Sequence, residues 1–231
     1  MKPKVLSTLA EARAKEAELE AMCADEPADP TGRWHPKDHL AHSAWWRQRN
    51  AQLFDAVRTG SEPPPSVNDD TQNDVIYRSH RDTPLTEIQE RARSSWDQLI
   101  DVAEALSEED LMKPHPYAPD QQLWQEVCGT SFFHLGEHLT YVYEDAGDDK
   151  RAEAAQRWMR DLHYGVAVDD RQRGTAEYNL GCFYAKRGRA EEALPLLRKG
   201  IALRPDLADW AKKDSDLDPI RDNASIKEFV G

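Results

Sequence analysis

Two histidines in the sequence have the spacing of a pair of metal ligands. His134 and His138 are four residues apart in a stretch with helical periodicity, so their side chains share one face. His42 belongs to an earlier predicted helix, on an apolar stripe with Trp46 and Leu53 that indicates an inward orientation. Three neutral imidazoles could hold a divalent ion and leave one position open for water or substrate. The alternative is a hydrogen-bonded polar core cluster without a metal.

The residues near the histidine pair include candidate catalytic groups. Glu137 could orient an imidazole or act as a general base on a bound water; alternatively, it is a solvated helix residue. Tyr141 lies on the same helical face as the histidine pair and either donates a hydrogen bond to a substrate or packs in the core. His35 and His39, at the start of the earlier helix, are predicted to be surface or capping residues, with the mouth of a pocket as the second interpretation.

The elements that position these residues are predicted to be helices. Apolar residues recur at intervals of three and four, most clearly from Leu85 to Leu106. Glycine and proline are few and cluster between such segments. The pattern predicts an all-α chain whose first domain, residues 1–146, is a four-helix bundle. Its long helices are predicted over residues 3–22, 36–58, 84–106 and 121–145, with a helical turn over 73–79 and a loop over 113–120.

The character of the sequence changes after Gly147, and residues 150–231 are predicted to form a second helical module. Part of this module resembles a tetratricopeptide repeat, a helix-turn-helix unit of about 34 residues. Gly200 replaces the alanine that is usual in the repeat, and Pro195 inside its second helix is a further departure, which only the first turn of that helix is expected to tolerate. The resemblance implies a short module that contacts a protein partner. The matching positions are Leu180, Gly181, Tyr184, Gly188, Ala193, Leu197 and Pro205.

The composition of the chain narrows the classes of function. Lys and Arg total 30 and Asp and Glu total 43, which gives a formal net charge of −13. So acidic a chain repels phosphate backbones, and nucleic-acid binding is therefore not expected. The sequence has neither an apolar run of the ~18 residues that a membrane span needs nor a signal-peptide core. Its three widely separated cysteines argue against a disulfide framework and predict a cytoplasmic location.

A series of short motifs runs through the first domain. They are Trp34, Lys37-Asp-His-Leu-Ala-His42, Trp45, Asn73-Asp-Val-Ile-Tyr77, Thr83-Pro-Leu, Leu106-Ser-Glu-Glu-Asp-Leu111 and the segment from His134 to His138. In this order they resemble the DinB-like metalloprotein superfamily and, within it, the ClbS/DfsB branch. The resemblance covers residues 1–146. It implies an up-down-down-up four-helix bundle and a three-histidine site, which falls on His42, His134 and His138.

The resemblance also implies a class of activity. Some relatives transfer low-molecular-weight thiols, others isomerise with a thiol cofactor, and ClbS-like members open a cyclopropane by hydrolysis, with or without a metal. The chain is thus expected to modify or detoxify a small-molecule electrophile, as a hydrolase or a thiol-dependent transferase, with Zn or Ni as the divalent metal and a low-molecular-weight thiol. The main alternative is a non-enzymatic adaptor, in which the bundle is a scaffold and the repeat-like module binds a protein. A third hypothesis is that the protein sequesters a small molecule without converting it.

Overall fold

A computed structural model describes residues 1–230, with the side chains of residues 1–69 and 71–227. It confirms the all-α prediction, since helices make up most of the chain and strands only one short hairpin. The chain divides into two compact units, Met1–Ala152 and a second that begins at Glu153. Gly231, the last residue of the predicted second module, lies outside the described residues. None of the helices in the described chain has the length and apolar character needed to cross a membrane.

The first unit contains the four long helical segments that were predicted, two of them interrupted. The longest helix, Pro36–Thr59, packs most extensively against the third long segment, Leu85–Ala105. In chain order the elements are Lys2–Lys15 (α1), Ala17–Glu20 (α2), Pro36–Thr59 (α3), Asp69–His80 (α4), Leu85–Ala105 (α5), Glu108–Leu111 (α6), Pro114–His115 (β1), Ala118–Gln122 (β2), Leu123–Cys128 (α7), a π-helical turn Gly129–Phe133 and His134–Asp145 (α8). The next helix, Asp149–Val166 (α9), begins in the first unit and has most of its residues in the second.

Local sequence signals explain how α3 begins and ends. Pro36 occupies the first turn, where its missing N–H costs nothing. The backbone N–H of His35 donates to the Asp38 carboxylate at 2.8 Å, which closes the start of the helix and agrees with the predicted capping role of His35. Gly60 ends the helix with a φ of 74°, a conformation that favours glycine. This frame fixes the register of every histidine on α3.

The predicted apolar stripe of α5 is buried from Ile88 onward, whereas its first residue, Leu85, is half-buried. The buried side chains of the stripe are at most 2% exposed, and they are Ile88, Ala92, Trp96, Leu99, Ala103 and Leu106. Spacings of three and four keep such side chains on one face, and α5 packs extensively against α3.

The first predicted helix is divided at Glu16, between α1 and α2, and Glu16 is only 1% exposed. Its carboxylate accepts two hydrogen bonds from the Arg47 guanidinium, at 2.6 and 3.0 Å, and a third from Trp96 Nε1 at 2.8 Å. Arg47 also donates to Ser95 at 3.0 Å and lies over the Trp96 ring. A buried charge needs such a complete set of partners, because each unpaired charge would cost several kcal/mol.

Two segments differ from the prediction. The loop expected over residues 113–120 contains part of an antiparallel hairpin, in which Pro114 pairs with Gln122 and His115 with Ala118. The turn expected over residues 73–79 is the full helix α4, which begins after Asn68 because the Asn68 side chain accepts from the backbone N–H of Thr71 at 3.0 Å.

The second unit is built around a tight helical hairpin. Its elements after α9 are Asp170–Ala185 (α10), Ala190–Leu203 (α11), Leu207–Ala211 (α12), a 3-10 helix Ser215–Ile220 and Ala224–Val230 (α13). A Cβ added at Gly174 would lie 2.7 Å from the carbonyl oxygen of Gly200, so neither glycine tolerates a side chain without separating α10 from α11. Pro195 lies in the second turn of α11, which continues through it, contrary to the expectation that only the first turn would tolerate a proline.

Candidate metal centre

Three histidines of the first unit converge on one point. His42 Nε2 lies 2.9 Å from His134 Nε2, and His138 Nε2 lies 3.1 Å from the same atom. One ligand nitrogen from each of the three histidines falls within a group no wider than 4.8 Å. Ligand nitrogens on the edges of a tetrahedral zinc site are about 3.3 Å apart, given Zn–N bonds of about 2.05 Å. Two of the three separations are thus within a few tenths of an ångström of such an edge, and the third is at most 4.8 Å.

Two helices supply these ligands, His42 from α3 and the other two from α8. The π-helical turn directly before His134 widens the backbone by one residue, which rotates α8 relative to α7. The Ser131 hydroxyl donates to the carbonyls of Val127 and Cys128 at 2.8 and 3.1 Å within this irregular turn. The π turn thus sets which face of α8 carries the histidine pair.

The electrostatic environment keeps the histidines neutral. Burial lowers the pKa of His42 to about 3, with a smaller contribution from His39. Burial also lowers the pKa of His134 and of His138 well below the usual value of about 6.5, and neighbouring histidines and Arg47 act in the same direction. A neutral imidazole has a free lone pair, which is the form that binds a metal.

The donor set fits a divalent ion better than a network of hydrogen bonds. An imidazole nitrogen carries either one hydrogen or one lone pair. His134 Nε2 faces two other Nε2 atoms, so one hydrogen or one lone pair would have to serve both neighbours along bent paths. Three lone pairs directed at one cation have no such conflict, and imidazole nitrogen suits zinc and nickel.

The prediction that His39 is a surface or capping residue is wrong. His39 is only 7% exposed, and its Nδ1 lies 2.7 Å from His138 Nδ1. Burial lowers the pKa of His39 to about 4. Its position was available in the sequence, because His39 and His42 are three residues apart and therefore share a helical face. The Trp34 ring packs against both of these rings and against His138.

A cavity of about 360 Å³ adjoins the cluster, with His42 and His134 in its wall. Glu126 also lines the cavity, and its Oε1 accepts from Asn50 Nδ2 at 2.9 Å. Burial raises the pKa of Glu126 to about 7, although the bond from Asn50 lowers it. Thr130, a fourth lining residue, has a buried hydroxyl oxygen without a hydrogen-bond partner in the described chain. The cavity therefore offers polar groups to a ligand next to the histidines.

Sequence reasoning did not identify Glu126 as a site residue. Counted along a continuous helix, Glu126 precedes His134 by eight residues, close to the same face, so the spacing was a usable signal. That signal was weak because nothing in the sequence marked the π turn that separates the two residues.

The two predicted catalytic residues lie near the histidines but on the open side of α8. Glu137 is exposed. Tyr141 is 49% exposed, which excludes the alternative of core packing, and its ring centre is 6.1 Å from that of His138 and 6.4 Å from that of His39. Neither residue lines the described cavity beside His42 and His134. Their catalytic roles stay predictions.

The fold and the cluster define an all-helical protein with three histidines from two helices placed to hold a metal ion. The chain belongs to the DinB superfamily, whose family profile matches residues 4–142, more than half of its length. No curated protein and no solved structure gives a significant match to the chain. The superfamily resemblance is thus confirmed, whereas the ClbS/DfsB branch and the tetratricopeptide repeat stay predictions.

Proposed function

We propose that this protein is a metal-dependent enzyme that modifies small electrophilic molecules, with the metal on His42, His134 and His138. The observation that carries the proposal is the convergence of three Nε2 atoms, from two buried histidines and the half-buried His134, beside a cavity of about 360 Å³. Pockets of about 300–1,000 Å³ typically take small-molecule ligands. Zinc or nickel is the expected ion, because both accept imidazole nitrogen and keep a further position open for a ligand.

The reaction class that suits the site is nucleophilic substitution at an electrophilic carbon, in which the nucleophile displaces a leaving atom. A bound divalent ion would supply Lewis acidity and lower the pKa of a water or thiol. Glu126 accepts the proton of the nucleophile and returns it to the atom that leaves the carbon. One bond to carbon forms and one breaks, so the reaction needs neither an oxidant nor a reductant. A carboxyl group with a pKa of about 7 can both accept and donate a proton near neutrality.

Two nucleophiles are compatible with this chemistry. Water makes the protein a hydrolase, as in ClbS-like relatives, and a low-molecular-weight thiol makes it a transferase. In either case the protein serves detoxification in the cytoplasm. Glu137 and Tyr141 are proposed to act at the outer side of the cluster, where Tyr141 can donate a hydrogen bond to a substrate that approaches His138.

A second candidate function is a protein adaptor, supported by the hairpin of α10 and α11. Glycines let these helices approach closely, as in helical repeats that bind peptide segments, and the exposed Trp210 on the nearby α12 offers an aromatic contact. In this alternative the first unit is a scaffold, and the partner is a protein segment bound by the second unit.

Metal binding separates the two functions most directly. Elemental analysis of the purified protein should find close to one Zn or Ni per chain. Added Zn²⁺ should raise the melting temperature at pH 7.5, because an ion bound to the folded state stabilises it by about 3–4 kcal/mol at 100 to 1,000 times its Kd. The rise should be of similar size at pH 5.5, because burial keeps the three folded imidazoles neutral at that pH as well.

Variants of the histidines identify the ligands. His138→Ala should abolish the zinc-induced rise in melting temperature, whereas His80→Ala, outside the cluster, should leave it intact. Glu126→Gln should keep the rise but lose turnover in a screen of alkyl halides and epoxides with water or thiols. A wild-type protein with no metal and no response to zinc or nickel contradicts the proposal and favours the adaptor.

A further inference from the structure

The three candidate ligands differ in what holds their second ring nitrogen. The Nδ1 atoms of His42 and His134 are buried and have no hydrogen-bond partner in the described chain. His138 alone has a partner there, His39 Nδ1 at 2.7 Å. Metal-bound histidines usually donate their second N–H to an acceptor, which fixes the tautomer and the ring orientation. In this cluster, among the described residues, only the contact between His138 and His39 can fix the tautomer and orientation of a ligand ring in this way.

The positions of the protons follow from the geometry. His138 Nε2 faces His134 Nε2 at the centre of the cluster, so its lone pair must be on Nε2 when the ring binds a metal, and its proton is then on Nδ1. At 2.7 Å the facing nitrogen of His39 must accept that proton, so His39 carries its own proton on Nε2. The pair thus has one defined tautomeric state.

The fold holds His39 firmly in the accepting position. His39 is 7% exposed and lies on α3, three residues before the ligand His42. The Trp34 ring packs edge-on against His39, with ring centres 5.2 Å apart. One helix therefore supplies both a ligand and the hydrogen-bond partner of a ligand from another helix.

We propose that His39 is a positioning residue, whose Nδ1 accepts the Nδ1–H of His138 and so presents His138 Nε2 to the metal. The inference rests on the proposed metal site. Loss of an outer hydrogen-bond partner typically weakens metal binding 10–100-fold. Because the other two ligands have no such partner among the described residues, we expect the effect of losing His39 to fall within that range.

The test compares two substitutions of His39 that should both leave the protein folded but differ in whether the new side chain offers a hydrogen-bond acceptor. His39→Leu fills the space without an acceptor, whereas His39→Asn places an amide oxygen near the position of Nδ1. His80→Leu is the matched control outside the cluster. Co²⁺ titration, followed by the visible bands of tetrahedral cobalt and by competition with a chelator, gives the affinity of each full-length protein. Far-UV circular dichroism and metal-free melting verify that each variant is folded.

We expect His39→Leu to lose 10–100-fold in Co²⁺ affinity and His39→Asn to recover most of it, with His80→Leu unchanged. Wild-type affinity in His39→Leu, or a loss in folded His39→Asn equal to that in His39→Leu, would overturn the role of His39 while leaving the metal site standing. If the wild-type protein binds no Co²⁺, both the metal site and the role of His39 are refuted.

A second measurement does not depend on any substitution. Long-range ¹H–¹⁵N NMR spectra of the zinc-loaded wild-type protein distinguish the two neutral tautomers of each histidine. The expected pattern is a proton on Nε2 of His39 and on Nδ1 of His138. A proton on Nδ1 of His39 would overturn the inference, because that nitrogen could then accept nothing from His138.

Discussion

A substitution at Gly181, where α10 approaches α11, tests how closely the two helices pack. A Cβ at this position would lie 2.8 Å from Leu197 Cδ2, 2.9 Å from its Cγ and 3.2 Å from its backbone nitrogen. The side chain of Leu197 could rotate away, but its backbone nitrogen is fixed in α11. Any larger residue at Gly181 must therefore push the two helices apart.

The expected cost of Gly181→Leu follows from two opposing effects. Overpacking in a filled contact typically costs 1–3 kcal/mol, and the three further carbons of leucine place this substitution near the upper end. Replacing a helical glycine recovers about 0.8 kcal/mol of helix propensity. The net loss of unfolding free energy is then about 2 kcal/mol, or a fall of roughly 8–16 °C in the melting temperature of a unit of this size.

The same substitution at Gly165 is the matched control. Gly165 lies in α9 within the second unit, and a Cβ there would meet nothing within 4 Å. Gly165→Leu should therefore be neutral or stabilise the unit by up to about 1 kcal/mol. Urea unfolding followed by circular dichroism measures both changes. A Gly181→Leu protein as stable as Gly165→Leu would refute the close packing and with it the repeat-like hairpin.

Two further predictions concern the first unit. Acidification from pH 7.5 to 5.5 should cost the metal-free wild type about 1.4 kcal/mol more than His42→Leu, because the unfolded His42 gains a proton near pH 6.5 and the folded one, with a pKa of about 3, does not. Glu126, whose raised pKa makes acidification stabilising, contributes equally to both proteins, so its effect cancels in the comparison. If the difference between the two urea midpoints is the same at pH 7.5 and pH 5.5, the prediction is contradicted. Glu16→Gln should lower the unfolding free energy by about 3–5 kcal/mol, because it leaves Arg47 buried without a counter-charge. Glu87→Gln, which removes an exposed ion pair, should cost under about 1 kcal/mol, and equal losses would show that burial is not decisive.

Periodicity made the helical frame predictable. The stripe from Ile88 to Leu106 follows the helical repeat, and its residues are buried because nothing competes with that repeat along α5. The pair His134 and His138 was predictable for the same reason, since a spacing of four fixes two side chains on one face whatever the helix packs against.

The features that were missed depend on distant or irregular contacts. Glu16 and Arg47 are 31 residues apart, and neither differs locally from the many charged residues on solvated faces. The π turn before His134 has no sequence signature, and it changes the register between Glu126 and the histidines. His39 differs from these, because its spacing of three residues from His42 predicts that both side chains lie on the buried face of α3. The general preference of histidine for the surface was given more weight than this spacing.

The buried ion pair bears on the metal site through charge. The positive charge of Arg47 lowers the pKa of His134 and of His138, which favours their metal-binding form but would oppose the arrival of a second cation. Glu16 offsets part of that opposition, because its carboxylate makes a bidentate pair with Arg47. Three neutral imidazoles then contribute no charge, so a divalent ion bound by them would keep nearly its full charge. Glu126, in the same cavity as His42 and His134, is the acidic group placed to feel it, and its carboxylate would become the favoured form. In the metal-bound protein Glu126 would therefore begin the reaction as a base.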